Sequence, residues 1–246
     1  MRYLILSDIH SNWEALEAVL RDAEGDYDQV LCCGDLVGYG ADPNRVVDWA
    51  RERAKLVVRG NHDKGCTGLD DLEWFNPVAR AAATWTGQRL TPDNLNYLRN
   101  LPKGPTEMDS FQILHGSPLD EDDYLVSNFA IGQVTPYLDR QVSFFGHTHL
   151  QGGFLCHRNG VKRLPRPEGE ESRKVVELEH DMLYLVNPGS VGQPRDGDPR
   201  AGYVIYDPDT RLVEFRRVPY DVRAAQAKIR EAGLSELLAD RLEFGN

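Results

Sequence analysis

Residues 2–10 read Arg2-Tyr3-Leu4-Ile5-Leu6-Ser7-Asp8-Ile9-His10. A compact apolar run ends on a carboxylate and, two residues on, an imidazole. The same form recurs downstream. Gln29 to Cys33 precedes Gly34-Asp35, Lys55 to Val58 leads into Gly60-Asn61-His62-Asp63, Phe111 to Leu114 precedes His115-Gly116, and Val142 to Phe145 precedes Gly146-His147-Thr148-His149. Short continuous apolar runs bounded by turn residues read as buried strands. Each run thus delivers a polar donor to a strand's C-terminal end, where α/β proteins build their sites.

The intervening segments read as helices. Ser11-Asn12-Trp13-Glu14 has the form of a capping box and opens a helix through Leu16, Val19 and Leu20. Asp42-Pro43 supplies an N-cap and a first-turn proline for a second helix, and Asn76-Pro77 and Thr91-Pro92 open two more. This alternation favours a parallel, doubly wound arrangement for the first part of the chain. Leu183 to Val186, Tyr203 to Tyr206 and Leu212 to Arg216 follow one another without helices, which predicts an antiparallel or mixed second sheet. Residues 158–181 read as an exposed loop or a peripheral hairpin. The stretch from Val222 to Phe244 is helical in period but broken at Gly233, giving two short outer helices. The expected fold class is therefore α/β: a two-sheet layered sandwich of mixed and parallel strands flanked by helices. It is read as one domain over residues 1–246, with 222–246 a peripheral helical segment. Trp13, Trp49, Trp74 and Trp85, in or next to helical segments, read as core or cap packing.

Composition narrows the partners. The 246 residues carry 28 Lys and Arg against 39 Asp and Glu, a net charge of −11. That balance works against nucleic acid or an anionic membrane surface as partner. A small anionic substrate stays open, because bound cations can invert the local field. The four cysteines, Cys32, Cys33, Cys66 and Cys156, show no finger or disulfide-framework spacing, and they suit a reducing compartment. No apolar run is long enough to span a bilayer, and the N-terminus enters a strand directly, so the expected location is cytoplasmic. The oligomeric state is not encoded in any feature of the sequence.

The donor types point to metal chemistry. In extended backbone Asp8 and His10 would face one side, as would His147 and His149. Gly34 allows a sharp turn, after which Asp35 either bridges two cations or ends an ordinary turn. Asn61 offers a neutral oxygen ligand. His62, pointing the other way in extended backbone, is free to meet substrate. His115 reads either as a ligand or as a core histidine. Carboxylate, imidazole and amide donors without thiolate suit Mn²⁺, Fe, Co²⁺, Ni²⁺ or Zn²⁺. The joint pattern is that of a two-metal hydrolase.

In their order, Asp-x-His, Gly-Asp, Gly-Asn-His-Asp, a later His and Gly-His-x-His, these motifs closely resemble the calcineurin-like metallophosphoesterase superfamily. The compact build is similar to its small bacterial and archaeal phosphodiesterases. By motif the resemblance covers residues 1–150, and by strand order the rest of the chain. It implies one metal held by Asp8, His10 and His149, a second held by Asn61, His115 and His147, and Asp35 bridging the two, with Mn²⁺ the expected ion. It also implies hydrolysis of small phosphodiesters by a metal-bridging hydroxide, with His62 as general acid. The runner-up readings are a nucleotide-anhydride (dinucleoside polyphosphate) hydrolase or a phosphomonoesterase. A catalytically silent, partner-binding scaffold is the non-enzyme reading, disfavoured because every motif position is filled.

One departure from the superfamily matters. Its phosphoprotein phosphatases read Gly-Asp-x-x-Asp-Arg-Gly where this chain reads Gly34-Asp35-Leu36-Val37-Gly38-Tyr39-Gly40. The Asp that orients the catalytic His is missing, so Asp42 or Asp63 becomes the candidate for that task. The phosphate-gripping Arg is missing too. Arg195, in the turn Asn187 to Arg195, is the expected substitute, since a guanidinium fork matches phosphate oxygens. Tyr39 either contacts substrate or packs.

Overall fold

Strand β1 (Tyr3–Leu6) is buried along its whole length, as its unbroken apolar run demands. Leu4 and Leu6 face one side, and Tyr3 and Ile5 the other. This alternation sets the layering of the computed structural model, which describes residues 1–158 and 160–246; Asn159, within the 158–181 segment, lies outside the described residues.

Helix α1 (Trp13–Asp22), strand β2 (Gln29–Cys32), helix α2 (Pro43–Arg53) and strand β3 (Ala54–Val57) follow β1. Strands β1, β2 and β3 are parallel. Then come helices α3 (Asn61–Cys66), α4 (Pro77–Gly87) and α5 (Pro92–Arg99), strands β4 (Thr106–Glu107) and β5 (Phe111–Ile113), helix α6 (Asn128–Val134) and strand β6 (Val142–Phe144). Strands β7 (Gly152–His157), β8 (Gly160–Arg163), β9 (Arg173–Glu177), β10 (Leu183–Asn187), β11 (Ala201–Asp207) and β12 (Leu212–Val218) lead to helices α7 (Val222–Glu231) and α8 (Glu236–Phe244). One six-stranded sheet has the order β3-β2-β1-β11-β12-β9, and the other β4-β5-β6-β10-β7-β8.

The two sheets face each other across a core of Ile5, Leu31, Phe111, Phe144, Tyr206 and Phe215. Phe111 packs edge-on against Tyr3 and Tyr206, with ring centroids 5.0 and 5.2 Å apart. The outer face of the first sheet carries Leu4, Leu6, Val30 and Cys32 against Leu16, Val19, Val47 and Leu98 of α1, α2 and α5. Helix α6 covers the outer face of the second sheet through Ile131 and Val134. Each fully buried Leu, Ile, Val or Phe in these layers contributes about 1.5–3 kcal/mol.

Several expectations are corrected. The first sheet is not doubly wound: helices cover one face only, because the second sheet buries the other. Strands β10, β11 and β12 do not form a sheet of their own. β11 pairs antiparallel with β1 (Tyr3 opposite Tyr206) and extends the first sheet, whereas β10 pairs parallel with β6 in the second. The 158–181 segment is split likewise: β8 pairs with β7 as a hairpin, and β9 joins the edge of the first sheet beside β12. The cap of α1 is Asn12, whose side-chain oxygen accepts from Ala15 N at 3.1 Å, so Ser11 and Glu14 form no capping box. Asp42 stands at the N-cap of α2, but its carboxylate accepts from Lys228 Nζ at 2.6 Å and caps nothing. Among the described residues no helix is long and apolar enough to cross a membrane, and the four cysteines are free and buried.

Candidate active site

The loops that follow the parallel strands β1, β2 and β3 of one sheet, and β5, β6 and β10 of the other, converge at one edge of the sandwich. Asp8, His10, Asp35 and His149 place ligand atoms within 4.8 Å of one another there, and so do Asp35, His115 and His147. Asp35 belongs to both groups. Its Oδ2 is 3.6 Å from His10 Nε2 and 3.5 Å from His115 Nε2, while His149 Nε2 is 3.4 Å from Asp8 Oδ1. Asn61 Oδ1 lies 3.3 Å from His115 Nε2, beside the second group.

Each imidazole is oriented from behind by a backbone carbonyl. His10 Nδ1 faces Val37 O at 3.0 Å, His115 Nδ1 faces Cys33 O at 2.7 Å, His149 Nδ1 faces Gln193 O at 2.6 Å and His147 Nε2 faces Asp122 O at 3.1 Å. A carbonyl only accepts, so each outer nitrogen carries the proton and each inner nitrogen of the neutral ring presents its lone pair to the site. Between His10 Nε2 and His149 Nε2, 3.1 Å apart, two such lone pairs meet head-on, and His115 Nε2 and His147 Nδ1 also stand 3.1 Å apart. Asp8 Oδ2 and Asp35 Oδ2 are buried without a hydrogen-bond partner among the described residues. Facing lone pairs and orphaned carboxylate oxygens in a dry site are costly unless a cation lies among them. The donor set therefore fits divalent metal.

The charges agree. Burial pushes His10 and His149 well below the usual imidazole range and His147 down to about 3, the neutral form a metal requires. Burial also disfavours the His115 cation, but Asp35 and Asp8 outweigh it and raise that ring to about 10. Burial alone would raise Asp35, yet its partner His115 holds it well below the carboxylate range. Asp8 is pushed up to about 7 by burial.

The backbone here is not extended. Asp8, His10, Asp35, Tyr39, His147 and His149 all have left-handed φ, between 50 and 65°. Such strain, of order 1–3 kcal/mol per residue, persists only where surroundings over-determine it. Here Asn187 Nδ2 donates to Gly146 O and Thr148 Oγ1, both at 3.0 Å, and Ser190 Oγ donates to Asp8 O at 2.7 Å. Gly34 (φ 101°) lets the chain pass His115, since a methyl there would sit 2.6 Å from His115 Nδ1.

His62 is not in extended backbone either. Gly60 caps α3, and His62 lies in its first turn. Neither Asp42 nor Asp63 orients the ring. Asp63 accepts from the backbone N–H groups of Asp35, Val37 and Gly60, and His62 Nδ1 is buried without a hydrogen-bond partner among the described residues. Ring packing holds it instead: Tyr39, Phe75 and His10 lie at 4.3, 4.7 and 4.9 Å between centroids. Gly38 makes room, since a methyl on it would meet His62 Nδ1 at 2.5 Å. Tyr39 packs on His62 and His10, and its hydroxyl accepts from Arg195 Nη2 at 3.3 Å, so both residues border the donor clusters. Arg195 Nη2 also donates to Gln193 Oε1 at 2.9 Å, and its buried Nε has no hydrogen-bond partner among the described residues.

Sequence reading missed three contributors. Asn187 and Ser190 lay in what read as a plain Gly/Pro turn; a turn following a strand, as each ligand motif does, was the available signal. Tyr124, whose ring packs 3.9 Å from His147, carried no signal at all. Trp74 does not pack in the core, being 92% exposed beside the site.

A two-sheet sandwich with carboxylates, imidazoles and an amide gathered at one edge, fitted to divalent cations, defines a class of phosphoesterase. The model of the calcineurin-like phosphoesterase superfamily domain matches residues 1–211, and the chain belongs to that family. An uncharacterized protein of Methanocaldococcus jannaschii is 37% identical over 98% of this chain and 97% of its own. The crystal structure of a metallophosphoesterase from Sphaerobacter thermophilus is 39% identical, with a TM-score of 0.86 over 100% of this chain and 99% of that one. A hypothetical protein of Pyrococcus horikoshii shares the fold at 19% identity, with a TM-score of 0.77 over 100% of this chain and 98% of its own.

Proposed function

We propose that the protein is a dinuclear-metal-dependent phosphoesterase that hydrolyses small phosphodiesters. The observation that carries this reading is Asp35, shared by two donor clusters whose inner nitrogens face each other at 3.1 Å. One ion is assigned to Asp8, His10, His149 and Asp35, the other to Asp35, Asn61, His115 and His147, with Mn²⁺ preferred. Divalent ions there would polarise phosphoryl oxygens and make bound water acidic enough to act near neutral pH.

The chain's own residues do the rest. Arg195 offers its guanidinium to a phosphoryl oxygen, and Tyr39 positions both Arg195 and His62. His62 donates a proton to the leaving oxygen. Burial pushes His62 down to about 4, so the ring is neutral without substrate. It becomes an acid only when an anionic phosphoester beside it stabilises the imidazolium. The absence of an Asp behind Nδ1 makes that dependence on substrate charge stronger. The buried free thiols support a cytoplasmic setting, and the net charge of −11 supports a small phosphorylated substrate over nucleic acid or membrane.

The test is hydrolysis of bis(p-nitrophenyl) phosphate and p-nitrophenyl phosphate by chelator-stripped protein, with and without Mn²⁺. Metal-restored turnover, faster on the diester, is expected. Metal-independent turnover would overturn the metal role, and a monoester preference would overturn the diester assignment.

A further inference from the structure

Beside Asn61 and His62 a cavity of about 370 Å³ opens to solvent. Its walls are unlike the donor clusters it adjoins. Tyr39, Phe75, Trp74 and Tyr124 line it, with Asp70 and Asp122 among its polar groups. The segment between α3 and α4 sends Phe75 inward onto His62 and leaves Trp74 at the mouth, 92% exposed. Tyr124 packs on His147 and is itself 55% exposed. Two large aromatic rings held in water at the rim of one cavity have area to gain from a planar ligand.

Charge fixes which part of a substrate can lie there. Asp122 and Asp70 share one ammonium, Lys64 Nζ, at 2.6 and 3.3 Å, and Glu121 approaches it at 3.5 Å. Glu121 is matched by the Arg59 guanidinium, which donates to it at 2.8 and 3.3 Å, so Asp122 and Asp70 around the single Lys64 ammonium leave this rim with one negative charge in excess. It repels phosphate, and it suits a group bearing N–H donors. Aromatic walls with carboxylate acceptors are what recognise the amino edge and π-face of a nucleobase.

We propose that this cavity takes the nucleobase of a nucleotide phosphoester whose phosphoryl group lies at the Asp and His clusters, an inference that rests on the phosphoesterase reading. The base stacks on Trp74 and Tyr124, with its amino group toward Asp122 or Asp70. A substrate so placed spans the site: base in the aromatic cavity, phosphorus beside His62, the remaining ester toward Arg195.

Binding tests this apart from turnover. AMP, ribose 5-phosphate and phenyl phosphate are titrated into Mn²⁺-supplemented protein, followed by calorimetry and tryptophan fluorescence, with phosphate release monitored on the same samples. AMP is expected to bind roughly tenfold more tightly than ribose 5-phosphate, the scale of one base–aromatic stack, and to quench fluorescence. Trp74→Ala, at a position open to solvent, should remove most of the AMP advantage, leaving what the Tyr124 ring supplies, and Trp74→Phe should restore it. Equal affinity of the wild-type protein for AMP and ribose 5-phosphate, no binding of AMP, or an AMP advantage that Trp74→Ala leaves undiminished overturns the proposal. Phenyl phosphate binding as tightly as AMP overturns the nucleobase assignment. AMP discrimination in a protein that hydrolyses no phosphoester upholds the cavity's ligand while the hydrolase reading fails; turnover without discrimination does the reverse.

Discussion

The carboxylate of Asp63 accepts hydrogen bonds from the backbone N–H of Asp35 at 2.9 Å and of Val37 at 3.2 Å. A third comes from Gly60 N, at 3.1 Å. One motif thus shapes the loop of another: the last residue of Gly60-Asn61-His62-Asp63 holds the turn that presents Asp35 to both donor clusters. Asp35 returns the contact, since its Oδ1 accepts from His62 N at 2.8 Å.

Asp63→Ala should therefore weaken metal binding although Asp63 is in neither donor cluster. Each buried N–H left without an acceptor costs about 1–3 kcal/mol, so a loss of at least ~2 kcal/mol is expected. Calorimetry and metal content by elemental analysis check this. An unchanged melting midpoint with full metal content would show that the loop holds itself.

Asp35→Asn keeps the shape but removes the charge common to both clusters. Both ions should be lost or reduced together, with activity falling by at least about 10²-fold. If one ion stays bound at wild-type affinity while only the other is lost, Asp35 does not bridge them.

His62→Ala should retain metal and lose about 10²–10⁴-fold in turnover. The loss should grow as the leaving group becomes more basic, because a proton donor matters most to a poor leaving group. A leaving-group series on aryl diesters reads this directly, and a uniform loss would assign His62 to phosphate binding alone.

The metal-free protein should lose stability as pH falls below about 6.5. Burial lowers His10, His62, His147 and His149, so these rings stay neutral in the folded state while the unfolded chain takes up protons. Asp8 and Asp63, raised to about 7 by burial, act in the opposite sense: folded, they take up protons first between pH 7 and 4. Four groups against two leave a net loss on acidification. His115, raised to about 10, contributes stability that is complete below about 6.5 and disappears as pH rises toward 10. Thermal midpoints of chelator-treated protein should peak near neutrality. A midpoint that climbs steadily from pH 7 to 5 would contradict the neutral imidazoles.

Local pattern decided much of this protein. Apolar runs such as Leu4-Ile5-Leu6 can satisfy their surface only as buried strands, and the donors follow immediately in the chain, so strand and ligand were legible together. Proline placed the starts of α2, α4 and α5 for equally local reasons, with Asn76 and Thr91 capping the last two. The motifs also carried the family, because their order along the chain mirrors the order of strands at one edge.

Only the tertiary structure decided relations between distant segments. Whether Tyr203 to Tyr206 extended the first sheet or built another depends on register with Tyr3 to Ile5, some two hundred residues away, and no local period encodes that. The left-handed turns at Asp8, Asp35 and His147 go against the residues' own preference and exist because Ser190, Asp63 and Asn187 respectively hold the loops around them. Asp63 itself read as a candidate to steer His62 and proved to brace Asp35, since helix α3 turns its side chain inward. Trp74, apolar and next to a helix, reads as core or cap packing. Its place at the mouth of a cavity follows from where the segment between α3 and α4 ends up against the opposite sheet's loops. A residue's type states what surroundings it favours, and only the folded chain supplies them.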